Sequence, residues 1–407
     1  MQRYSFLCAK RIECHFYEKR CFLCRKLCVC LRQSNSYENE MTTESEAKEP
    51  SMGLDISRLL IDWYELNKRM LPWRETRDPY LIWVSEIILQ QTRVAQGLDY
   101  YLRFTERFPT VAHLAAAEED EVLKYWQGLG YYSRARNLHA AAKMVMDRFD
   151  GQFPRTYEEV LSLKGVGTYT AAAIVSFAWN EPYPVVDGNV YRVLARLFCL
   201  DVAIDSSSGK RLFADLAHQL IDPKRASVYN QAIMELGALQ CVPKSPNCEA
   251  CPLVDRCLAY AQGRVEELPV KRHKTKTRDR YFHYLYLIYK GHTWLRRRTA
   301  GDIWEGLYEF PLIEADRTLD LAALSQTEPY RRWLGGMPAL RMSHSLTDMK
   351  HVLSHQVLHA SFYVFELDQP PTGLDDYLCV PLAEFERYAI PRLIHIYTEK
   401  LGGNLSE

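Results

Sequence analysis

Four cysteines stand close together in this 407-residue chain, spaced Cys241-x6-Cys248-x2-Cys251-x5-Cys257. Thiolates packed this densely wrap a single compact ion or cluster. Zinc sites more often use two Cys-x2-Cys hooks joined by a longer loop. Here there is one such hook, and Pro243, Pro246, Asn247 and Pro252 turn the chain between the ligands. That pattern suits four ligands converging on a 4Fe–4S cubane. A zinc ion and unligated core cysteines are the alternatives.

Two carboxylates also invite a chemical reading. Glu86, in Trp83-Val84-Ser85-Glu86-Ile87-Ile88-Leu89-Gln90-Gln91-Thr92, interrupts an otherwise apolar helix face. A buried carboxylate is costly unless it serves something, and burial raises its pKa towards use as an acid. The plainer reading is a salt-bridged core residue. Asp187, in Val185-Val186-Asp187-Gly188-Asn189-Val190, follows an apolar run at the start of a helix. There it could be only an N-cap, for which Asp is favoured. Together the pair has the make-up of glycosidic chemistry, one carboxyl protonating the leaving group and the other supporting a sugar cation.

Between them, Leu163-Lys164-Gly165-Val166-Gly167-Thr168-Tyr169 joins two helical stretches. Its glycines permit backbone angles and close approach that a side chain would block. The turn opens a helix whose first N–H groups suit an anion.

These residues require elements to hold them. From Leu54 to about Gln262 apolar residues recur at helical spacing. The expected stretches are 55–67, 80–108, 118–126, 134–149, 156–163, 168–179, 190–200, 209–220 and 227–239. Gly, Pro or Asp marks most joints. Lys271, Arg272, Lys274, Lys276, Arg278 and Arg280 then crowd a basic segment, read as a linker over 263–280. Beyond it, 281–289 and 359–367 alternate as strands, while 319–325 and 382–388 look like short helices. The organisation expected is an all-α domain over 54–262, with the cysteine loop at 241–257, then a smaller α+β domain over 281–400.

Bulk charge is zero, so nucleic-acid binding has to rest on local patches. No apolar run reaches the roughly 18 residues of a membrane helix, and no membrane association is expected. Six of the twelve cysteines fall in the first thirty residues, which argues against a disulfide framework and for a reducing compartment. Residues 1–50 read as a poorly structured extension, with a transit peptide as the alternative and Met41 and Met52 as alternative starts.

The cysteine spacing, the Leu-x-Gly-Val-Gly hairpin with an Asp about twenty residues later, and the Ser-Glu-x-x-Leu-Gln-Gln-Thr run together resemble the MutY-type adenine glycosylases of the endonuclease III, or helix-hairpin-helix, superfamily. The resemblance covers residues 54 to about 398. It implies a monomeric DNA-repair enzyme holding a 4Fe–4S cluster on Cys241, Cys248, Cys251 and Cys257. It would act on double-stranded DNA bearing adenine opposite 8-oxoguanine or guanine, and hand an abasic site to downstream repair enzymes. Glu86 would protonate adenine at N7, Asp187 would support the sugar cation and Asn189 would position the catalytic groups. Gly165, Val166 and Gly167 would donate to DNA phosphate. Gln91 and Tyr131 (in Gly128-Leu129-Gly130-Tyr131-Tyr132-Ser133-Arg134) would enter the base stack. Arg74 and Gln231 would line the adenine pocket, while Trp73 and Tyr80 are read as core. Strand-cleaving relatives carry Lys where this chain has Tyr169, and a phenol forms no imine, so base release without lyase activity is expected.

The α+β part resembles the Nudix-like recognition domain of the same family through Thr299-Ala300-Gly301-Asp302-Ile303-Trp304-Glu305-Gly306-Leu307-Tyr308-Glu309-Phe310-Pro311. The Arg-Glu-x-x-Glu-Glu core of Nudix hydrolases is absent, so no pyrophosphatase activity is expected. The family's Phe-Ser-His loop reads Leu353-Ser354-His355, which keeps Ser354 and His355 for contact with 8-oxoguanine. The short linker favours a bacterial enzyme of the cytoplasm and nucleoid. Nucleus and mitochondrion are the alternative if residues 1–40 are a transit peptide.

Overall fold

The computed structural model describes residues 52–272, 277–337 and 340–404. The N-terminal extension with its six cysteines, and Lys274 and Lys276 of the basic segment, lie outside the described residues.

Helices α1 (Met52–Asn67), α2 (Pro79–Leu89), α3 (Val94–Arg107), α4 (Val111–Ala116), α5 (Glu119–Trp126), α6 (Ser133–Phe149), α7 (Tyr157–Leu161), α8 (Thr168–Trp179), α9 (Gly188–Leu197), α10 (Ser207–Leu220), α11 (Ala226–Leu239) and α12 (Leu258–Ala261) build the first part. Local chemistry sets many of their ends. Asp78 caps α2 ahead of a first-turn Pro79. Thr156 and Glu159 form a reciprocal capping box on α7. Asn180 ends α8 in the left-handed conformation.

The helices enclose two cores. One is built around Trp83, Phe104, Phe108, Trp126, Leu138 and Ile174, and the other around Leu60, Leu194, Phe213, Tyr229 and Leu236. Trp73 and Tyr80 are buried, as expected. The single stretch expected over 80–108 is two helices. The chain breaks at Gln90–Arg93, where Gln91 adopts φ +55°. The apolar rhythm runs on across that break, so periodicity alone does not register it. Helix α4 was not expected at all.

Strands β1 (Arg278–Ile288), β2 (His292–Arg297), β3 (Tyr308–Glu309), β4 (Leu312–Ala315), β5 (Arg341–Val352), β6 (Gln356–Glu366) and β7 (Leu378–Pro381) follow, with helices α13 (Leu321–Ser325), α14 (Glu328–Leu334) and α15 (Arg392–Asn404). A four-stranded sheet has the order β4-β1-β6-β5, and β2 is the centre of a three-stranded sheet β3-β2-β7. β1 and β6 pair in parallel, from Arg278 opposite Gln356 to Ile288 opposite Glu366. Phe282, Tyr284 and Tyr286 enter the core that α15 covers. Leu285 and Leu287 enter the core that α13 and α14 cover. Both faces of β1 are thus buried, which explains its mix of aromatic and aliphatic residues.

The basic segment is less of a free linker than its composition suggests. Leu268 is buried in the second helical core, and Ile204 N–H donates to Val270 O at 3.1 Å. Arg280 sits within β1, paired with Asp302 at 2.6 Å and Glu314 at 2.7 Å. These ion pairs are long-range in sequence, so composition could not separate Arg280 from the exposed Lys271, Arg272 and Arg278. Among the described residues no helix is long and apolar enough to cross a membrane.

The helical and sheet parts meet through charged pairs at α5. Arg297 contacts Glu119 at 2.7 Å, and the Tyr308 hydroxyl donates to Asp120 at 2.8 Å. Arg136 is paired with Glu305 at 3.1 Å.

Candidate active site

A cavity of about 500 Å³ opens between the two helical cores. That lies within the range, about 300–1,000 Å³, of small-ligand sites. Its wall includes Glu86, Gln91, Tyr169, Asp187, Asn189, Arg74 and Gln231. Seven residues singled out in the sequence therefore share one space, although more than 140 positions separate Glu86 from Gln231.

Glu86 is presented by α2 and is only 7% exposed. Burial pushes its carboxyl up to about 7. The Tyr169 hydroxyl, which donates to Glu86 Oε2 at 2.9 Å, opposes that rise, and the charge of Asp187 adds to it. A carboxyl so placed carries a proton near neutrality and can give it away.

Asp187 is indeed the N-cap of α9, accepting from Val190 N–H at 2.7 Å. Its other oxygen accepts from Asn189 Nδ2 at 2.9 Å. Burial raises its pKa, and these hydrogen bonds pull the other way. Capping fixes this carboxylate; it does not remove it from the cavity. Asn189 Oδ1 accepts in turn from Arg192 at 2.9 Å, while Arg192 Nε donates to the carbonyl of Cys241 at 2.7 Å. Gly237 makes this packing feasible. A Cβ there would lie 2.7 Å from that of Asn189.

Arg74 is not free in the pocket. It shares the fully buried Glu235 with Arg69, at 2.7 and 2.5 Å. Burial would raise the Glu235 carboxyl, but the two arginines outweigh it and hold the group at about 2. Gln231 accepts from the Tyr64 hydroxyl at 2.6 Å. Sequence reasoning missed Glu235, Arg69 and Arg192. The signal that found Glu86, a charge inside an apolar helix face, was present for Glu235 in Ala232-Ile233-Met234-Glu235-Leu236, and for Arg192 beside Val190, Val193 and Leu194.

Gly165, Val166 and Gly167 of the hairpin lie outside this cavity, which Tyr169 lines. Gly165 holds φ +79°, and an added Cβ would lie 2.6 Å from Asn137 Cβ. No side chain caps α8, so its first-turn N–H groups remain open to an anion. Val166 differs from its neighbours. Its side chain is buried and its N–H already donates to Leu163 O at 3.1 Å, so its part is to pack the turn, while Gly165 and Gly167 leave the outer face clear.

A second cleft, about 490 Å³, brings Tyr131 together with Ser354 and His355. The Tyr131 and Ser354 hydroxyls share a hydrogen bond across 223 residues of sequence. Ser354 and His355 turn between β5 and β6, closed by Leu353 N–H to Gln356 O at 2.8 Å. Leu353, where the family pattern has Phe, packs partly buried against the sheet core.

The four cysteines gather beside α9 and α12. Burial above all, with the charges of Cys241, Cys257 and Cys248, raises the Cys251 thiol to about 11 against a backbone hydrogen bond at Leu253. Arg196 knits the loop, donating to the carbonyls of Val242 at 2.8 Å and Pro243 at 3.0 Å and contacting Cys241 Sγ at 3.4 Å. Among the described residues no three His, Cys, Asp or Glu side chains ring a single metal ion. A 4Fe–4S cluster would take four cysteine thiolates. An all-sulfur donor set on a braced loop fits it.

Comparison with known proteins adds independent findings. Residues 84–217 match the model of the HhH-GPD superfamily base excision DNA repair proteins, and residues 283–400 match that of the NUDIX domain. The chain is 35% identical to an adenine DNA glycosylase of Mus musculus, over 77% of this chain and 71% of that one. It is 33% identical to one from Buchnera aphidicola subsp. Baizongia pistaciae, over 74% and 83%. A solved thermostable thymine-DNA glycosylase aligns with 52% of this chain and 97% of its own, at 27% identity and a TM-score of 0.48.

Proposed function

Because this chain belongs to the adenine DNA glycosylase family, we propose that it excises adenine paired with 8-oxoguanine or guanine and leaves an abasic site. The observation that carries the reading is the buried Glu86, its carboxyl raised to about 7, sharing one cavity with Asp187.

Glu86 gives its proton to N7 of the flipped adenine, which makes the base a better leaving group. As the glycosidic bond breaks, positive charge grows on the sugar. Asp187, held by Val190 N–H and Asn189, is prearranged to stabilise that charge or to attack C1′. Water then completes hydrolysis, with Glu86 accepting the proton. A positioned acid contributes about 10²–10⁴ in rate, so Asp187 supplies much of the remainder. Arg74, fixed by Glu235, and Gln231 shape the base pocket. Tyr169 carries no amine, so no Schiff base forms with the sugar and the strand stays intact.

We read residues 54–262 as the glycosylase domain, which carries Tyr131, and 281–400 as the part that inspects the opposite base through Ser354 and His355. Cys241, Cys248, Cys251 and Cys257 would hold a 4Fe–4S cluster, whose chemistry there is to cross-link the loop. DNA phosphate sits at the hairpin around Gly165 and Gly167.

Duplexes carrying A:8-oxoguanine, A:G, T:G or an oxidised pyrimidine test the assignment. Base release at the first two, with strand breaks only after alkali, is expected. Release confined to T:G or to the oxidised pyrimidine would refute it.

A further inference from the structure

Arg134 is buried, at 8% exposure, and among the described residues it has no carboxylate partner. Its guanidinium is instead spent on backbone carbonyls of two separate segments. Nη1 donates to Ile87 O at 2.8 Å, Ile88 O at 2.9 Å and Gln90 O at 2.7 Å. Nη2 donates to Gly130 O at 3.0 Å, with a longer contact to Leu129 O at 3.4 Å. The first segment is the C-terminus of α2, whose last carbonyls have no partner within the helix. The second is the turn that precedes α6. Arg134 also lies over the rings of Trp126, at 5.2 Å, and Tyr131, at 5.7 Å.

Each segment ends in a side chain held in an uncommon backbone state. Gln91 follows the α2 end at φ +55°, and Tyr131 follows the turn at φ +47°. Non-glycine residues rarely adopt this left-handed region, and they stay there only when surrounding bonds over-determine it. Here one guanidinium bonds both loops at once, beside single local bonds from Thr92 Oγ1 to Gln90 O at 3.3 Å and from Trp126 Nε1 to Gly130 O at 3.2 Å. Removing the guanidinium takes a donor from five carbonyls, of which Ile87 O, Ile88 O and Leu129 O keep no other side-chain donor, and so weakens the hold on both segments together. No lysine reproduces the fork, since an ammonium offers three donors from one point.

We propose that Arg134 is a positioning residue that fixes Gln91 and Tyr131 as one rigid pair, so that both enter the base stack in register. The inference rests on the reading that these two side chains enter the duplex when adenine is flipped. Base flipping requires a few kcal/mol of unstacking, and two wedges at a fixed spacing supply it together where two loose ones do not.

The test uses the full chain with Arg134→Met and Arg134→Lys, and single-turnover adenine release from two substrates. One is an A:8-oxoguanine duplex. The other presents the adenine in an unpaired bubble, where little unstacking remains to be done. Arg134→Met should slow release from the duplex about tenfold or more and from the bubble far less. Arg134→Lys should fall between Met and wild type. The pH dependence of release should not move, since Glu86 is untouched. Equal losses on both substrates, or wild-type rates on the duplex from either folded variant, overturn the proposal. If Arg134→Met does not fold, Arg134→Lys carries the same comparison. Gln91→Ala and Tyr131→Ala, measured alongside, separate the two layers. If both release adenine from the duplex at wild-type rates, the wedge reading fails. If they are slow while the Arg134 variants are not, only the role of Arg134 fails.

Discussion

The Tyr169 hydroxyl, on the first turn of α8, donates to Glu86 Oε2 on α2 at 2.9 Å. This bond favours the charged carboxylate, while burial favours the neutral acid and prevails, leaving Glu86 at about 7. Adenine release should therefore fall as pH rises through 7, because the proton donor is lost. Tyr169→Phe removes the bond, so the pKa of Glu86 should rise and this limb should move to higher pH. Single-turnover rates across pH measure the shift, and a limb that stays or moves down contradicts the assignment.

Glu86→Gln keeps shape and burial but cannot protonate N7. Base release should drop by about 10²–10⁴, while affinity for an A:8-oxoguanine duplex stays near wild type. Turnover at the normal rate would remove Glu86 from the mechanism.

No lysine stands at position 169, so borohydride should trap little covalent adduct on a cleavable duplex. Adduct in good yield would mean that another amine reaches C1′ and that the enzyme also cleaves the strand.

Glu235 holds both Arg69 and Arg74 without any exposure of its own. Glu235→Gln leaves two arginines facing one neutral amide. Breaking a buried pair costs about 3–5 kcal/mol, so the variant should unfold at lower denaturant near pH 7. The sign follows from a carboxyl held at about 2, below its ordinary value. Its contribution is complete above the unfolded carboxyl range and disappears as pH falls towards 2. Wild type and variant should then converge in acid, and a gap constant with pH would show that the ion pairs are not its source.

Arg192 joins Asn189 Oδ1, at 2.9 Å, to the Cys241 carbonyl, at 2.7 Å. Arg192→Met should slow adenine release through loss of the Asp187–Asn189 arrangement. It should also lower the iron retained per chain, because the first cysteine of the loop loses its brace. Full iron content with full activity would mean that the two ends of the bridge are independent.

The sequence alone carried a good deal. Helical spacing placed α8 at 168–179 to the residue, and the alternation at 281–289 marked the central strand β1. These are local patterns, written by burial on one face or two. Glu86, Asp187 and the four cysteines could also be singled out as candidates, because a charge in an apolar run or a tight ligand spacing stands out within a dozen residues. What the fold alone decided is long-range pairing. Only tertiary structure shows that Arg74 is held by Glu235, 161 positions away, that Tyr131 meets Ser354, and that Arg134 fastens two loops at once. Such contacts leave no period in the chain, since an arginine bound to distant carbonyls reads like one in water until the backbone brings its partners within 3 Å.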